Sequence, residues 1–307
     1  MKPTDTQTAA RPLQLFCQLA SGRFSRLDYL DERKNRIKFV LRSLLTPRGT
    51  LAWLSFISQR PRLLDYLRQA PRIALKLHRP YQHCALDTQG KLASLKSHYA
   101  AVLTLPEQAR EALLSRQNLT LASVEGKDET RFGCRMGHNH YFDKEGELVL
   151  QWLEGEDTPL ATLTFTVCEQ DGKTVIVIGG LQGPHKDYGA EGIKTATKAC
   201  HGLFPKRLVV EALMVVAEAF KAVEVRAVCK DQHIYSSWRY NRDFQADYDS
   251  FWESLGSERA DSVFFRLPFP IPRKPMEDIA SKKRSEYNRR YALLDDLAAQ
   301  IRQTLSH

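Results

Sequence analysis

Apolar positions in the first hundred or so residues recur at helical spacing. Leu27 and Leu30, then Ile37, Val40, Leu41 and Leu44, keep a period of three to four residues. Pro47 and Gly49 punctuate that pattern, and Leu51, Leu54, Phe56 and Ile57 resume it. Pro61, Pro71 and Pro80 divide the next stretch into short pieces, because proline is excluded from helix interiors. Further helices are expected over residues 92–103 and 106–114. From about residue 119 the period shortens to two, the spacing of a strand with one face inward. Strands are expected over 119–124, 131–136, 141–143, 148–153 and 160–167, with a turn at 144–146. Asp171 and Gly172 make a hairpin turn into a strand over 174–178, which Gly179 and Gly180 are expected to end.

The period then reverts. Helices are expected over 190–203 and 205–222, a strand over 223–229, a short helix over 248–255, a strand over 263–267 and a charged helix over 281–305. The pattern predicts an α+β chain: an N-terminal helical region (1–115), then a mainly antiparallel sheet flanked by helices (116–307). No internal repeat is visible.

Composition narrows the class. Hydrophobic residues make up 43% and charged residues 26%, values of a globular chain, and the net charge is +9. That balance favours acidic partners: a phosphate-bearing small molecule, nucleic acid or an anionic membrane surface. The first residues contain no apolar leader core, and no apolar run approaches the roughly 20 residues of a spanning helix, so a cytoplasmic location is expected. Six cysteines without a C-x-x-C pair read as reduced, mostly buried thiols. Arg33, Lys34, Arg36, Lys38 and Arg42, with Arg60, Arg62, Arg68, Arg72, Lys76 and Arg79, are either the solvated faces of amphipathic helices or a basic patch.

Candidate chemistry concentrates after the strand at 174–178. Gly179, Gly180 and Gly183, three glycines in five residues, allow close approach of a ligand to the backbone, with Leu181, Gln182 and Lys186 beside them. The next helix start offers unpaired N–H groups to an anion. A bulge with purely structural glycines is the alternative. Neither a Walker A loop nor a G-x-G-x-x-G fingerprint is present. Pro205 opens a helix whose next residues are Lys206 and Arg207. Cations in a first turn oppose the helix dipole by about 0.3–1 kcal/mol each, a cost that a bound anion removes.

Other groups are weaker candidates. His138 and His140 have the spacing of a metal pair but no third ligand, so an exposed hairpin pair is expected. Glu154, Glu156 and Asp157 read as a solvated turn. Tyr235, Trp238, Tyr240, Phe244, Tyr248, Phe251 and Trp252, interleaved with Arg239 and Arg242, suit core packing better than base stacking. Lys282, Lys283, Arg284, Arg289 and Arg290 are diluted by Glu286, Asp295 and Asp296, and an exposed helix is expected there.

Gly179–Pro184 (Gly-Gly-Leu-Gln-Gly-Pro), His201–Lys206 (His-Gly-Leu-Phe-Pro-Lys), the apolar helix positions Leu208, Ala212, Val216 and Phe220, His233-Ile234-Tyr235, Tyr248–Trp252 and His98-Tyr99 together resemble the VirK/YbjX family. That resemblance covers most of the chain and implies a link to virulence and to bacterial responses to host stress, with no assigned reaction. The order of a meander, a glycine-containing segment, a helix and a further strand with a tyrosine beyond it also resembles GNAT-type acyltransferases. By that second resemblance, amides at Gly180–Gly183 with Lys186, Lys206 and Arg207 would hold acyl-coenzyme A, Tyr235 would act as acid and His233 as base. The usual Arg/Gln-x-x-Gly-x-Gly/Ala loop is absent, and an extra helical stretch comes after the segment. A non-catalytic protein engaging RNA, membrane or protein through a basic surface is the alternative.

Overall fold

The computed structural model describes residues 12–24, 28–236 and 248–306. Six helices come first: α1 (Pro12–Ser21), α2 (Arg33–Leu45), α3 (Pro47–Ser58), α4 (Pro61–Gln69), α5 (Thr88–Leu103) and α6 (Glu107–Leu114). Proline sets two of the starts. Pro47 and Pro61 stand in the first turn of α3 and α4, where a missing N–H costs no hydrogen bond. Asp87 caps α5, its Oδ1 accepting from the Gly90 amide at 2.7 Å.

The sheet begins as an antiparallel meander of β1 (Leu119–Glu125), β2 (Arg131–Gly137), β3 (Leu148–Glu154), β4 (Thr158–Gln170) and β5 (Lys173–Gln182). The chain then crosses over through α7 (Gly189–Ala199) and α8 (Pro205–Ala219) to β6 (Glu224–Val228), which pairs parallel to β5. A short helix, α9 (Asp249–Ser254), leads to β7 (Glu258–Arg259) and β8 (Phe264–Leu267), and α10 (Ser281–Ser306) closes the chain. The strand order is β1-β2-β3-β4-β5-β6-β8-β7. The α+β class and its flanking helices are as the hydrophobic pattern predicts.

Four expectations need correction. Residues 141–143 form no strand: His140–Phe142 is a single 3-10 turn. Gly179 and Gly180 do not end β5, which stays paired to β4 as far as Gln182 across a bulge between Thr164 and Phe165. His138 and His140 are not an exposed pair. His138 turns inward, its Nδ1 3.0 Å from the Glu147 carbonyl oxygen and 3.3 Å from the Tyr66 hydroxyl, and only His140 is exposed. Finally, α10 buries Leu293, Leu294, Leu297, Ile301 and Leu305 as it packs on α8 and β1, so only its remaining faces are solvated.

One continuous hydrophobic core joins the N-terminal helices to the sheet. Strand β4 lies at its centre, with α5 and α8 both packed on it and residues 160–168 buried in both side-chain directions. A buried polar connection adds to this joint. Lys76 Nζ donates to Glu147 Oε1 at 2.8 Å, and the Tyr99 hydroxyl donates to Glu147 Oε2 at 2.5 Å. The carboxylate on the sheet side is thereby satisfied by two groups from the helical side. All six cysteines are unpaired, Cys17 and Cys84 exposed and the other four buried.

Candidate functional site

The parallel pair β5–β6 is hydrogen-bonded only from Val175 with Glu224 to Ile178 with Ala227. Beyond that point the two chains diverge, and side chains fill the notch. His233 hydrogen-bonds to the Gly179 backbone, and the Tyr248 hydroxyl reaches the Leu181 backbone. Glu145, from the turn before β3, enters against the glycines. A β-carbon on Gly179 would collide with the Glu145 carbonyl oxygen, and one on Gly180 with its carboxyl group. Those two glycines are therefore required by a neighbouring side chain and backbone, within a bulged strand.

Four groups meet here. Gln182 Nε2 donates to Glu145 Oε1 at 3.1 Å and to the Tyr248 hydroxyl at 3.0 Å, and His233 Nε2 lies 3.6 Å from Glu145 Oε1. Burial pushes the Glu145 carboxyl up to about 8, hydrogen bonding by Gln182 offsetting only part of the effect. Burial also lowers His233 to about 4, opposed by its bond to Gly179. At neutral pH the first keeps its proton and the second has none, so the 3.6 Å approach is not an ion pair. The cluster is a neutral, enclosed set of proton-carrying groups: Glu145 is 0% and His233 1% exposed.

A cleft of about 630 Å³ opens beyond the end of this segment. Pro184, two residues after Gln182, lines it, as do Phe251 of α9, the helix that Tyr248 introduces, and Leu255 just after that helix. Leu160, Leu203, Phe204 and Leu294 give it apolar walls. Lys206, Arg207, Arg273, Lys274 and Arg290 face it, against one lining carboxylate, Glu211. Arg207 pairs with Glu211 at 2.7 Å and Arg273 with Asp295 at 2.6 Å. Lys206 has no such partner among the described residues, and burial lowers its pKa. Its position in the first turn of α8 adds the positive end of a 15-residue helix to the cleft.

The residues singled out by sequence separate into three places. Gly180 and Leu181 are buried within β5 and paired to Thr164 and Leu163, so their backbone belongs to the ladder rather than to an open loop. Gln182, His233 and Tyr235 gather around the notch. The Tyr235 ring centroid lies 5.6 Å from that of His233, and Lys144 Nζ sits 5.3 Å over the Tyr235 ring. Gly183 is exposed beside Lys206, which with Arg207 lines the cleft, while Lys186 is exposed outside it. Trp238, Arg239, Tyr240, Arg242 and Phe244 lie outside the described residues. Tyr248 and Trp252 are buried, in keeping with core packing.

Sequence reasoning misses Glu145 and the aromatic α10 wall of the cleft, Tyr287 and Tyr291; Arg290, singled out in the sequence as part of an exposed helix, also lines the cleft. No local signal marks Glu145, because Lys144-Glu145-Gly146 has the composition of a surface turn. Among the described residues, no group of three or more His, Cys, Asp or Glu is arranged to hold a metal, and no helix is long and apolar enough to cross a membrane.

Comparison with known proteins agrees with the sequence resemblance. The chain is 41% identical to the uncharacterised protein YbjX of Escherichia coli K12 over 294 residues, covering 94% of this chain and 89% of that one. Two uncharacterised proteins of Haemophilus influenzae are similar: one is 30% identical over 63% of both chains, the other 28% identical over 87% of this chain and 88% of its own. No solved structure is a significant match. The family profile described as "Protein of unknown function (DUF535)" matches residues 28–303, and the chain belongs to that family, the VirK/YbjX group.

Proposed function

We propose that the protein binds a phosphate-bearing ligand with an apolar portion, of the acyl-coenzyme A class, and acts as an N-acyltransferase. One observation carries the reading: a single cleft combines five cations and a helix N-terminus with leucine and phenylalanine walls. Phosphates suit the first set and an acyl or pantetheine chain the second. The order of a meander, a crossover and a parallel strand agrees with the acyltransferase layout, as an analogy of fold only.

In such a transfer an amine nitrogen attacks the thioester carbonyl carbon, the carbon–sulfur bond breaks, and the departing sulfur takes a proton. Tyr235, partly exposed at the notch, is the group assigned to supply that proton. It is not among the residues that line the cleft, so the acyl end has to reach from the cleft to the notch. His233, neutral at pH 7, is the assigned base, and Glu145, a carboxylic acid raised by burial to about 8, sets the polarity around it. A second reading, binding without turnover, is favoured by a different observation. Both His233 and Glu145 are enclosed, so neither touches a ligand in this conformation.

Calorimetry with coenzyme A, acetyl-coenzyme A and a long-chain acyl-coenzyme A tests binding, the long chain being expected to bind most tightly. Absence of heat with all three overturns the proposal. Thiol release in the presence of amine acceptors then separates the readings: release supports transfer, and binding without release supports the second.

A further inference from the structure

The three helices at the start of the described chain present an amphipathic surface that no other part of the described protein covers. Nine large hydrophobic residues are well exposed among the described residues, and six of them lie here: Leu13 on α1, Ile37, Leu41, Leu44 and Leu45 on α2, and Leu51 on α3. On α2 they recur at i, i+4, i+7 and i+8, which places them on one face. The inward face of the same helix is Asn35, Phe39 and Ser43. At 100° per residue the two faces are opposed, so the apolar row points directly to solvent, with Leu44 67% and Leu45 82% exposed.

Charge accompanies this row. Helices α1, α2 and α3 are 10, 13 and 12 residues long and carry six cations, Arg33, Lys34, Arg36, Lys38, Arg42 and Arg48, and no carboxylate. None of the six is ion-paired among the described residues. Lys38 and Arg42 flank the apolar row on α2. An exposed helix needs cations for solubility, but it does not need four apolar side chains opposite its buried face, since such a face is costly in water.

We propose that this surface docks onto an anionic phospholipid bilayer, with α2 lying in the interfacial plane. A bilayer meets both halves of the pattern, acyl chains taking the leucines and headgroup phosphates the flanking cations. RNA offers the phosphates but no apolar layer for the leucine row. The inference is independent of the cleft at α8, which stands on other residues.

Flotation of the full-length protein with vesicles of phosphatidylcholine alone, and of equal parts phosphatidylcholine and phosphatidylglycerol, tests it. Binding is expected only to the second kind and should weaken as salt rises. The double variants Leu44→Ser/Leu45→Ser and Lys38→Gln/Arg42→Gln should each lose about ten-fold or more in partitioning, since both the apolar and the electrostatic contributions are needed. Unchanged thermal melts would show that both variants remain folded. No flotation overturns the proposal. So does loss with the charge variant alone, the behaviour of a purely electrostatic partner such as RNA. Self-association in the absence of vesicles that the leucine variant disperses also overturns it, because a second copy would then cover this face.

Discussion

The carboxyl group of Glu145 lies against the α-carbon of Gly180, and its carbonyl oxygen lies against that of Gly179. The two contacts differ in kind, and substitution should separate them. A methyl group at Gly179 meets backbone, which cannot swing aside. At Gly180 it meets the end of a side chain. Overpacking of a buried site costs about 1–3 kcal/mol, and Gly179→Ala is expected near the upper end with Gly180→Ala below it. Glu145→Ala should relieve Gly180→Ala in the double variant and leave Gly179→Ala unrelieved. Denaturant melts of the single and double variants provide the cycle, and additive effects at Gly180 would contradict the contact.

This corner also shows what local sequence carries and what it does not. The meander, the crossover helices and β6 are legible from periodicity, because one buried face imposes its spacing on each segment. Gly179 and Gly180 are conspicuous in the sequence, yet their cause lies more than thirty positions earlier in Glu145, whose neighbours read as a surface turn. Composition alone therefore suggests a loop where β5 continues. Lys206 and Arg207 are legible as misplaced cations in a first turn. The remaining cations of their cleft come from residues 273–274 and from α10, brought there only by tertiary packing. The row on α2 illustrates the opposite limit. Ile37, Leu41 and Leu44 predict the helix correctly, but period cannot reveal that their face points outward.

The raised pKa of Glu145 makes stability fall as pH rises. Its folded value is about 8, above the ordinary carboxylate range, so between those values the folded state holds a proton that the unfolded state has released. Stability from this group is complete below the unfolded pKa and is lost as pH climbs through about 8. Buried histidines act in the opposite sense: His78, His83, His138 and His233 sit near 4 and His98 near 3, all lowered first by burial. They contribute stability above the unfolded histidine pKa, lost as pH falls towards 4. At about pH 6.5 the unfolded histidines are still half protonated, so their opposing contribution fades only towards about pH 8. There the thiols of Cys134, Cys200 and Cys229, raised by burial, begin to add to the loss of stability. The contribution of Glu145 is therefore read as the difference between the wild-type and Glu145→Gln profiles, which is expected to fall by up to about 1.4 kcal/mol per pH unit as pH rises towards about 8. A difference between the two profiles that stays constant over the same range would show that Glu145 is not a buried neutral acid.

Lys76 and Glu147 hold the helical region to the sheet through a contact with both side chains largely removed from water. Removing one partner of a buried ion pair leaves the other charge uncompensated, at a cost of about 3–5 kcal/mol. Lys76→Met alone should therefore destabilise strongly. Lys76→Met with Glu147→Gln should cost much less than the two single changes added, since no charge is then stranded and Tyr99 keeps an acceptor. Equilibrium unfolding of the four proteins measures the coupling. Additivity would mean that solvent reaches the pair.

Lys206 and Arg207 are neighbours in the first turn of α8 with different duties, and two measurements should tell them apart. Arg207 is neutralised by Glu211 one turn along, so the cleft loses little field when it is replaced. Lys206 is half-buried, lacks a partner among the described residues and opposes the helix dipole. Lys206→Gln should consequently raise the stability of the ligand-free protein by about 0.3–1 kcal/mol while weakening a phosphate-bearing ligand. Arg207→Gln should do the reverse, costing stability through the stranded Glu211 and altering binding less. Thermal melts with and without coenzyme A read both quantities in one experiment. If Lys206→Gln lowers the melting temperature of the free protein, its ammonium is a structural group, and the case for an anion in this cleft loses its central residue.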